Sequence, residues 1–531
     1  MSAKSQRMPP LAHGAGIAET SCDRWADGAG RLAVLHRRAD GSEERVSFDA
    51  LRSTSARLAE VLRGHGVKRG DRVATLLKPG PDAVVSLLAV LRAGAVAVPM
   101  GHALRHAALA YRLRDCGAVA VITDDGGLGD MEGIAPGLPS LRFVVSAGAP
   151  AAHVVSLWTE AQRAAADAPA EPVTADDPAL ILYGTDQAGR PRGVLHAHRA
   201  LAAQLGAFAL LHEGLPAQGD LLWTECDWAA GATWLDTVLP ALSLGVPVLA
   251  HSVPVTEPVR ILAMLAEDGV RNAVLSPATL RRLMEAGTGA MPSGLQLRSL
   301  ATWGGALGQD VIDWASATFR VPLNDCLTRP EFGILLCTSS RLAPARAGRL
   351  GGAAPGRSVA IVDAEGREVP MGQRGEIALR RPDAGLFLGY WKDAGVAPTA
   401  DHGGAWVLTG ESGFVDADGC VSALPPPVAA SRHAEVETFL LAHPAVARAT
   451  VIGPGGLPFG PEATAIVVPR QGTVPGPDLA DELRGFLRAR LSSDVCPRRV
   501  AFALDLPPPE LGLMPAALGK AVGLGGGPAE G

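Results

Sequence analysis

The chain has 531 residues, of which 47% are hydrophobic and 19% charged, with a formal net charge of −6. That length gives one large domain or two to three modules with ample material for a core. The acidic balance excludes a nucleic-acid surface or an anionic membrane as the main partner.

Cys22, Cys116, Cys226, Cys326, Cys337, Cys420 and Cys496 are scattered, with no zinc-ligand spacing. No apolar segment follows the first seven residues. Reduced thiols in a cytoplasmic protein without a secretion signal are therefore expected. The longest apolar run, Ala83 to Met100, is interrupted by Arg92 and Gly94 and falls short of a membrane span.

The first predicted elements alternate strand and helix. Arg72 to Leu77 reads as a strand and Pro81 to Leu91 as a helix, with proline in the first turn where its missing N–H costs little. Ala95 to Pro99 is a second strand, Leu104 to Asp115 a second helix, and Ala118 to Ile122 a third strand. Continuously apolar strands separated by helices predict a parallel sheet covered on both faces.

Next, the apolar run Ala179-Leu180-Ile181-Leu182 leads into Tyr183-Gly184-Thr185-Asp186-Gln187-Ala188-Gly189-Arg190-Pro191-Arg192-Gly193. A strand entering a glycine-bearing loop that ends in a cation can cradle phosphates with backbone N–H groups. A plain strand-to-helix turn explains the same residues. The strand–helix rhythm then resumes with Pro247 to Ala250, Pro258 to Glu267 and Asn272 to Leu275, which together predict α/β architecture with ligands at strand C-termini.

The texture changes near Ser422, where Pro425-Pro426-Pro427 interrupts the chain. A helix (Val436, Phe439, Leu440), strands at 449–452 and 464–468, a helix (Leu483, Phe486, Leu487, Leu491) and a strand at 500–504 follow. The predicted organisation is a large α/β N-terminal domain over 1–420 with mostly parallel sheets, a small α+β lid over 421–522, and a frayed glycine-rich tail over 523–531.

Several ordered segments resemble the adenylate-forming superfamily of acyl- and aryl-CoA synthetases, luciferases and peptide-synthetase adenylation domains. The look is nearest to bacterial acetyl and medium-chain acyl-CoA synthetases. The resemblance is carried by Gly70-Asp71-Arg72-Val73-Ala74, Leu91 to Pro99, the loop 183–193, Trp223-Thr224 with Asp227-Trp228-Ala229, Leu275 to Thr279, Gly304-Gly305, Asn324 to Gly333, Gly375-Glu376-Ile377, Gly389-Tyr390-Trp391, Trp406 to Glu411, and His443 to Val446. It runs over roughly residues 20–520 and implies ATP, Mg²⁺ and coenzyme A as cofactors. It also implies a small carboxylic acid, with CoA or another thiol as acceptor; homo-oligomer formation is left open.

The resemblance assigns nucleotide contacts to Thr185, Gln187, Gly189, Arg192, Gly304, Gly305 and the ribose carboxylate Glu411, and Mg²⁺ to Glu331, a hard oxygen donor. It assigns an acyl pocket to Trp223, Trp228 and His198. For His196 and His198, packing at a helix start is the alternative; for the tryptophans, with Trp234, it is aromatic core.

Against the family pattern, several groups that handle triphosphate are altered. Phosphate-loop hydroxyls are replaced by Gln187 and Ala188, and a glycine by Asp186. At ~5 Å and an effective dielectric of ~20, that charge repels a phosphate charge by about 3 kcal/mol. Arg192 replaces a lysine, keeping the charge but not its compact form. Leu327 replaces the adenine-stacking aromatic, and Pro330 a threonine hydroxyl. Leu513 occupies the register of the lysine that bridges carboxylate and α-phosphate, and a lost donor of this kind costs ~10²–10³ in rate. Pro425 to Pro427 restrict a hinge where lid rotation needs free φ/ψ.

Two functions follow: an acid–CoA ligase with weak or lost adenylation, or a non-catalytic relative that binds acyl-CoA, nucleotide or a protein partner. A descendant that keeps only thiol transfer is a third. A Rossmann oxidoreductase lacks its Gly-x-Gly-x-x-Gly after an early strand.

Overall fold

The computed structural model describes residues 16–102, 104, 106–148, 155–165, 167–185, 191–229, 232–287, 292–303, 307–392, 395–397, 404–423, 436–437, 439–441, 443–452, 464–470, 473–489, 496–497 and 499–503. The chain divides into two compact units, Met1–Leu182 with Gly193–Ala423, and Tyr183–Arg192 with Leu424–Gly531. The glycine-rich tail and the triple proline lie outside the described residues. Among the described residues no helix is long and apolar enough to cross a membrane. None of the seven cysteines forms a disulfide, and five of them are buried.

The larger unit is built on two sheets. The first has nine strands, and the run that ends at one edge is, in spatial order, Val96–Met100, Arg72–Leu76, Ala120–Thr123, Phe143–Ser146 and Val155–Ser156. These pair in parallel. Helices Pro81–Arg92 and His106–Cys116 make the crossovers within a residue or two of their predicted bounds. Every side chain of Val96–Met100 is buried, as a strand covered on both faces requires.

The second sheet has thirteen strands and two characters. Leu32–Arg37, Val248–His251, Leu222–Thr224, Asn272–Val274, Ser299–Trp303 and Leu323–Arg329 run parallel. From the hairpin Leu323–Arg329/Gly333–Cys337 onward the pairing turns antiparallel, through Arg349–Ala353, Val421–Ala423, Trp406–Val415, Gly375–Arg380 and Val359–Val362. Sequence reading missed this antiparallel half.

In the smaller unit, Val446–Ile452 pairs antiparallel with Thr464–Pro469. Helix Pro477–Arg488 then crosses over to Arg499–Phe502, which pairs in parallel. Leu479, Leu483 and Leu487 pack with Val436, Leu440, Val451 and Val467 into its core. The predicted α+β order is the observed one.

Candidate active site

The hairpin of the second sheet lies where its parallel strands give way to antiparallel ones, and its turn is tightly fixed. Gly333 has φ +68°, and an added Cβ would lie 2.0 Å from Gln204 Nε2. Only glycine meets both demands. The fully buried Gln204 clasps the turn, donating to the Phe332 carbonyl at 3.2 Å and accepting from Ile334 N–H at 2.9 Å. Arg357 donates to the same carbonyl at 2.8 Å. Arg357 also pairs with Asp383; their side chains are 1% and 4% exposed. Buried side chains therefore fix the backbone of Phe332-Gly333-Ile334, directly after Arg329-Pro330-Glu331.

Glu331, the magnesium candidate, is half-buried in this turn and accepts from the Tyr390 hydroxyl at 3.1 Å. Its carbonyl accepts from Phe387 N–H at 2.9 Å, and Phe387 stacks edge-on against Tyr390. Among the described residues no group of three His, Cys, Asp or Glu could hold a metal. A lone carboxylate fits Mg²⁺, which keeps waters and relies on substrate phosphates for its other ligands.

Glu411, the ribose candidate, sits on a bulge. Ala378 pairs with Leu408 and Glu376 with Ser412, so Thr409-Gly410-Glu411 stands opposite Ile377 alone. Thr409 Oγ1 donates to the Ile377 carbonyl at 2.8 Å and accepts from Glu411 N–H at 3.1 Å. Gly410 has φ +77°, and its N–H donates to Glu376 at 3.0 Å. The bulge aims the Glu411 carboxylate at Arg329, with which it forms an ion pair. Arg329 and Glu411 are thus brought together, with Glu331 two residues along the chain from Arg329.

The proposed acyl residues are not. Trp223 is buried among Leu249, Ile261, Leu265, Leu275 and Leu300. Its strand neighbour Leu222 faces the other core, which also holds Trp228, because successive side chains of a strand point to opposite faces. Trp228 meets Trp234 edge-on at 5.5 Å. His198 is 3% exposed, and its Nδ1 accepts from Ile17 N–H at 3.1 Å, tying the first described helix down. Burial pulls its pKa down to about 4. His196 is fully buried beside the Pro330 carbonyl; burial lowers it to about 4, and neither ring nitrogen makes a well-formed hydrogen bond.

Arg192 is half-buried in strand Pro191–Ala197. Thr185 ends strand Pro178–Thr185. Gln187, Gly189, Gly304, Gly305 and Leu513 lie outside the described residues.

Sequence reading overlooked Asp236. It is 2% exposed in the π-helical turn Trp234–Val238, a geometry that often marks functional sites. Thr328 donates to its Oδ2, and its Oδ1 has no partner. A single acid in the run Trp234-Leu235-Asp236-Thr237-Val238-Leu239 was the available signal.

Burial raises the Asp236 carboxyl from 3.8 to about 7. Because its folded pKa is raised, its stabilising contribution is full below 3.8 and is lost as pH rises through 7. Asp236→Asn removes this dependence, so the variant should gain on the wild type between pH 5 and pH 8 by at most about 3 kcal/mol. Chemical denaturation at the two pH values checks it. An unchanged difference would show that the carboxylate is charged and solvated throughout.

Residues 22–391 match the AMP-binding enzyme family, and residues 435–511 match the AMP-binding enzyme C-terminal domain. Acetyl-coenzyme A synthetase of Bacillus subtilis is 26% identical over 482 residues, covering 88% of this chain and 83% of the relative. The 3-hydroxybenzoate/4-hydroxybenzoate–CoA ligase of Thauera aromatica is 28% identical over 478 residues, covering 88% and 90%. The crystal structure of Brucella canis acyl-CoA synthetase superposes with a TM-score of 0.72 at 27% identity, covering 96% of this chain and 94% of that one. Two matched domains and a shared architecture place the chain in the AMP-binding enzyme family, among the acyl-CoA synthetases of the adenylate-forming superfamily.

Proposed function

We propose that the protein is an acid–CoA ligase with slowed adenylation. A carboxylate oxygen attacks the α-phosphorus of ATP and pyrophosphate leaves. The sulfur of CoA then attacks the acyl carbon and AMP leaves. The observation that carries this reading is a pair of partly exposed carboxylates, Glu331 on the hairpin turn and Glu411 on the bulge, each fixed by its own hydrogen bonds, with Glu411 reaching Arg329 two residues before Glu331.

Glu411 accepts from the ribose hydroxyls. Glu331, oriented by the Tyr390 hydroxyl, would hold Mg²⁺. When bound, the ion neutralises charge on the phosphoryl oxygens. Arg192 adds positive charge on the strand that follows the glycine loop.

Pro330 and Leu513 offer no donor where the family has a threonine and a lysine. Those two positions favour the second reading, a non-adenylating binder of acyl-CoA or nucleotide. ATP–pyrophosphate exchange across a panel of short, branched and aromatic acids, followed by CoA-dependent thioester formation, separates the two. Exchange above background with at least one acid is expected. Intact AMP and CoA binding with no exchange on any acid would establish the binder.

A further inference from the structure

We propose that Arg329 is a phosphate ligand, parked on the ribose carboxylate in the free protein and released to the nucleotide phosphate when ribose hydroxyls take Glu411. The inference rests on the nucleotide-site reading above. Arg329 closes strand Leu323–Arg329, and its carbonyl accepts from Phe332 N–H at 3.2 Å. Gln204, Arg357 and the glycine at 333 hold that turn, so the backbone stays in place while the side chain is free to swing.

The side chains of Arg329 and Glu411 are 44% and 40% exposed. A contact this exposed is weak and readily exchanged for a ligand. The neighbouring arginines are committed differently. Arg357 is locked to buried Asp383, and Arg199 is tied to Asp176 at 2.6 Å and to the Ala384 and Leu386 carbonyls.

The chemistry fits a transfer. Ribose hydroxyls donating to Glu411 satisfy the carboxylate that Arg329 held, leaving a planar fork of donors whose geometry matches a phosphate. Arg329 and Glu331 flank Pro330 in the same turn, so the backbone that carries the arginine also carries the residue assigned to the metal. Arg329 is a cation, which neither Pro330 nor Leu513 can be.

Calorimetric titration of the full chain with AMP and with adenosine, without metal or acid, tests this independently of turnover. The wild type should prefer AMP. Arg329→Gln should weaken AMP about 10-fold to 100-fold and tighten adenosine about 1.5-fold to 5-fold, because Glu411 is no longer masked. Arg329→Lys should keep part of the AMP preference, and thermal melts should match the wild type because the pair is exposed.

AMP and adenosine shifting together, or neither shifting, would overturn the proposal; so would a wild type that binds both alike or binds neither. Intact AMP preference in a protein that forms no acyl-AMP would instead sink the ligase reading and leave this one standing.

Discussion

Arg357→Ala is expected to destabilise the larger unit by about 3–5 kcal/mol, because it strands Asp383 as an unpaired charge in the interior. The two side chains are 1% and 4% exposed, so water cannot replace the lost partner. The substitution also removes the 2.8 Å donor from the Phe332 carbonyl, leaving Gln204 to clasp the hairpin alone. Urea denaturation should show a lower midpoint with an unchanged slope. The double substitution Arg357→Met with Asp383→Leu should recover most of the loss, since a well-packed apolar pair often equals a buried ion pair. A single-variant loss below about 1 kcal/mol would mean that the pair is solvated.

Leu513→Lys is expected to raise ATP–pyrophosphate exchange by at least about tenfold. It should stay short of the full ~10²–10³ that a pre-oriented donor supplies, because Pro330 and the altered loop with Asp186 persist. Adding Pro330→Thr should carry the rate further. Complete recovery from Leu513→Lys alone would show that the loop was never impaired. No increase would show that position 513 is not where the family lysine acts.

Local chemistry made much of the parallel parts of both sheets legible. Helix Pro258–Glu267 has the bounds its sequence predicted, with proline setting the start and an apolar stripe of Ile261, Leu262 and Leu265 facing the core. Strand Val96–Met100 was readable because burial on both faces writes a continuous apolar run. The antiparallel half of the second sheet was not readable. Its strands, such as Arg349–Ala353 and Gly375–Arg380, are short, glycine-bearing and half exposed, and their pairing is decided by partners far along the chain.

The same limit applies to the site. Glu331 and Glu411 could be named from motif order, but the salt bridge between Arg329 and Glu411 joins residues 82 apart and follows from a bulge that no local pattern announces. The tryptophans stayed ambiguous between pocket and core because an aromatic near a motif looks the same in sequence in either place. Alternation along Leu222–Thr224 put Trp223 on the far face.

The parallel register of Val34 with Val248 sets a timetable for biosynthesis. Strand Leu32–Arg37 leaves the ribosome more than two hundred residues before the strand that covers its inner edge. At ~5–20 residues per second that interval is about 10–40 s. Throughout it, the nascent chain carries an apolar β-segment with one unprotected side, guarded only by its antiparallel neighbour Glu43–Ser47 and the charges of Glu43, Glu44 and Arg45. Those acidic and basic side chains act as solubility guards during translation, and slowing synthesis should raise the demand of this chain for chaperones.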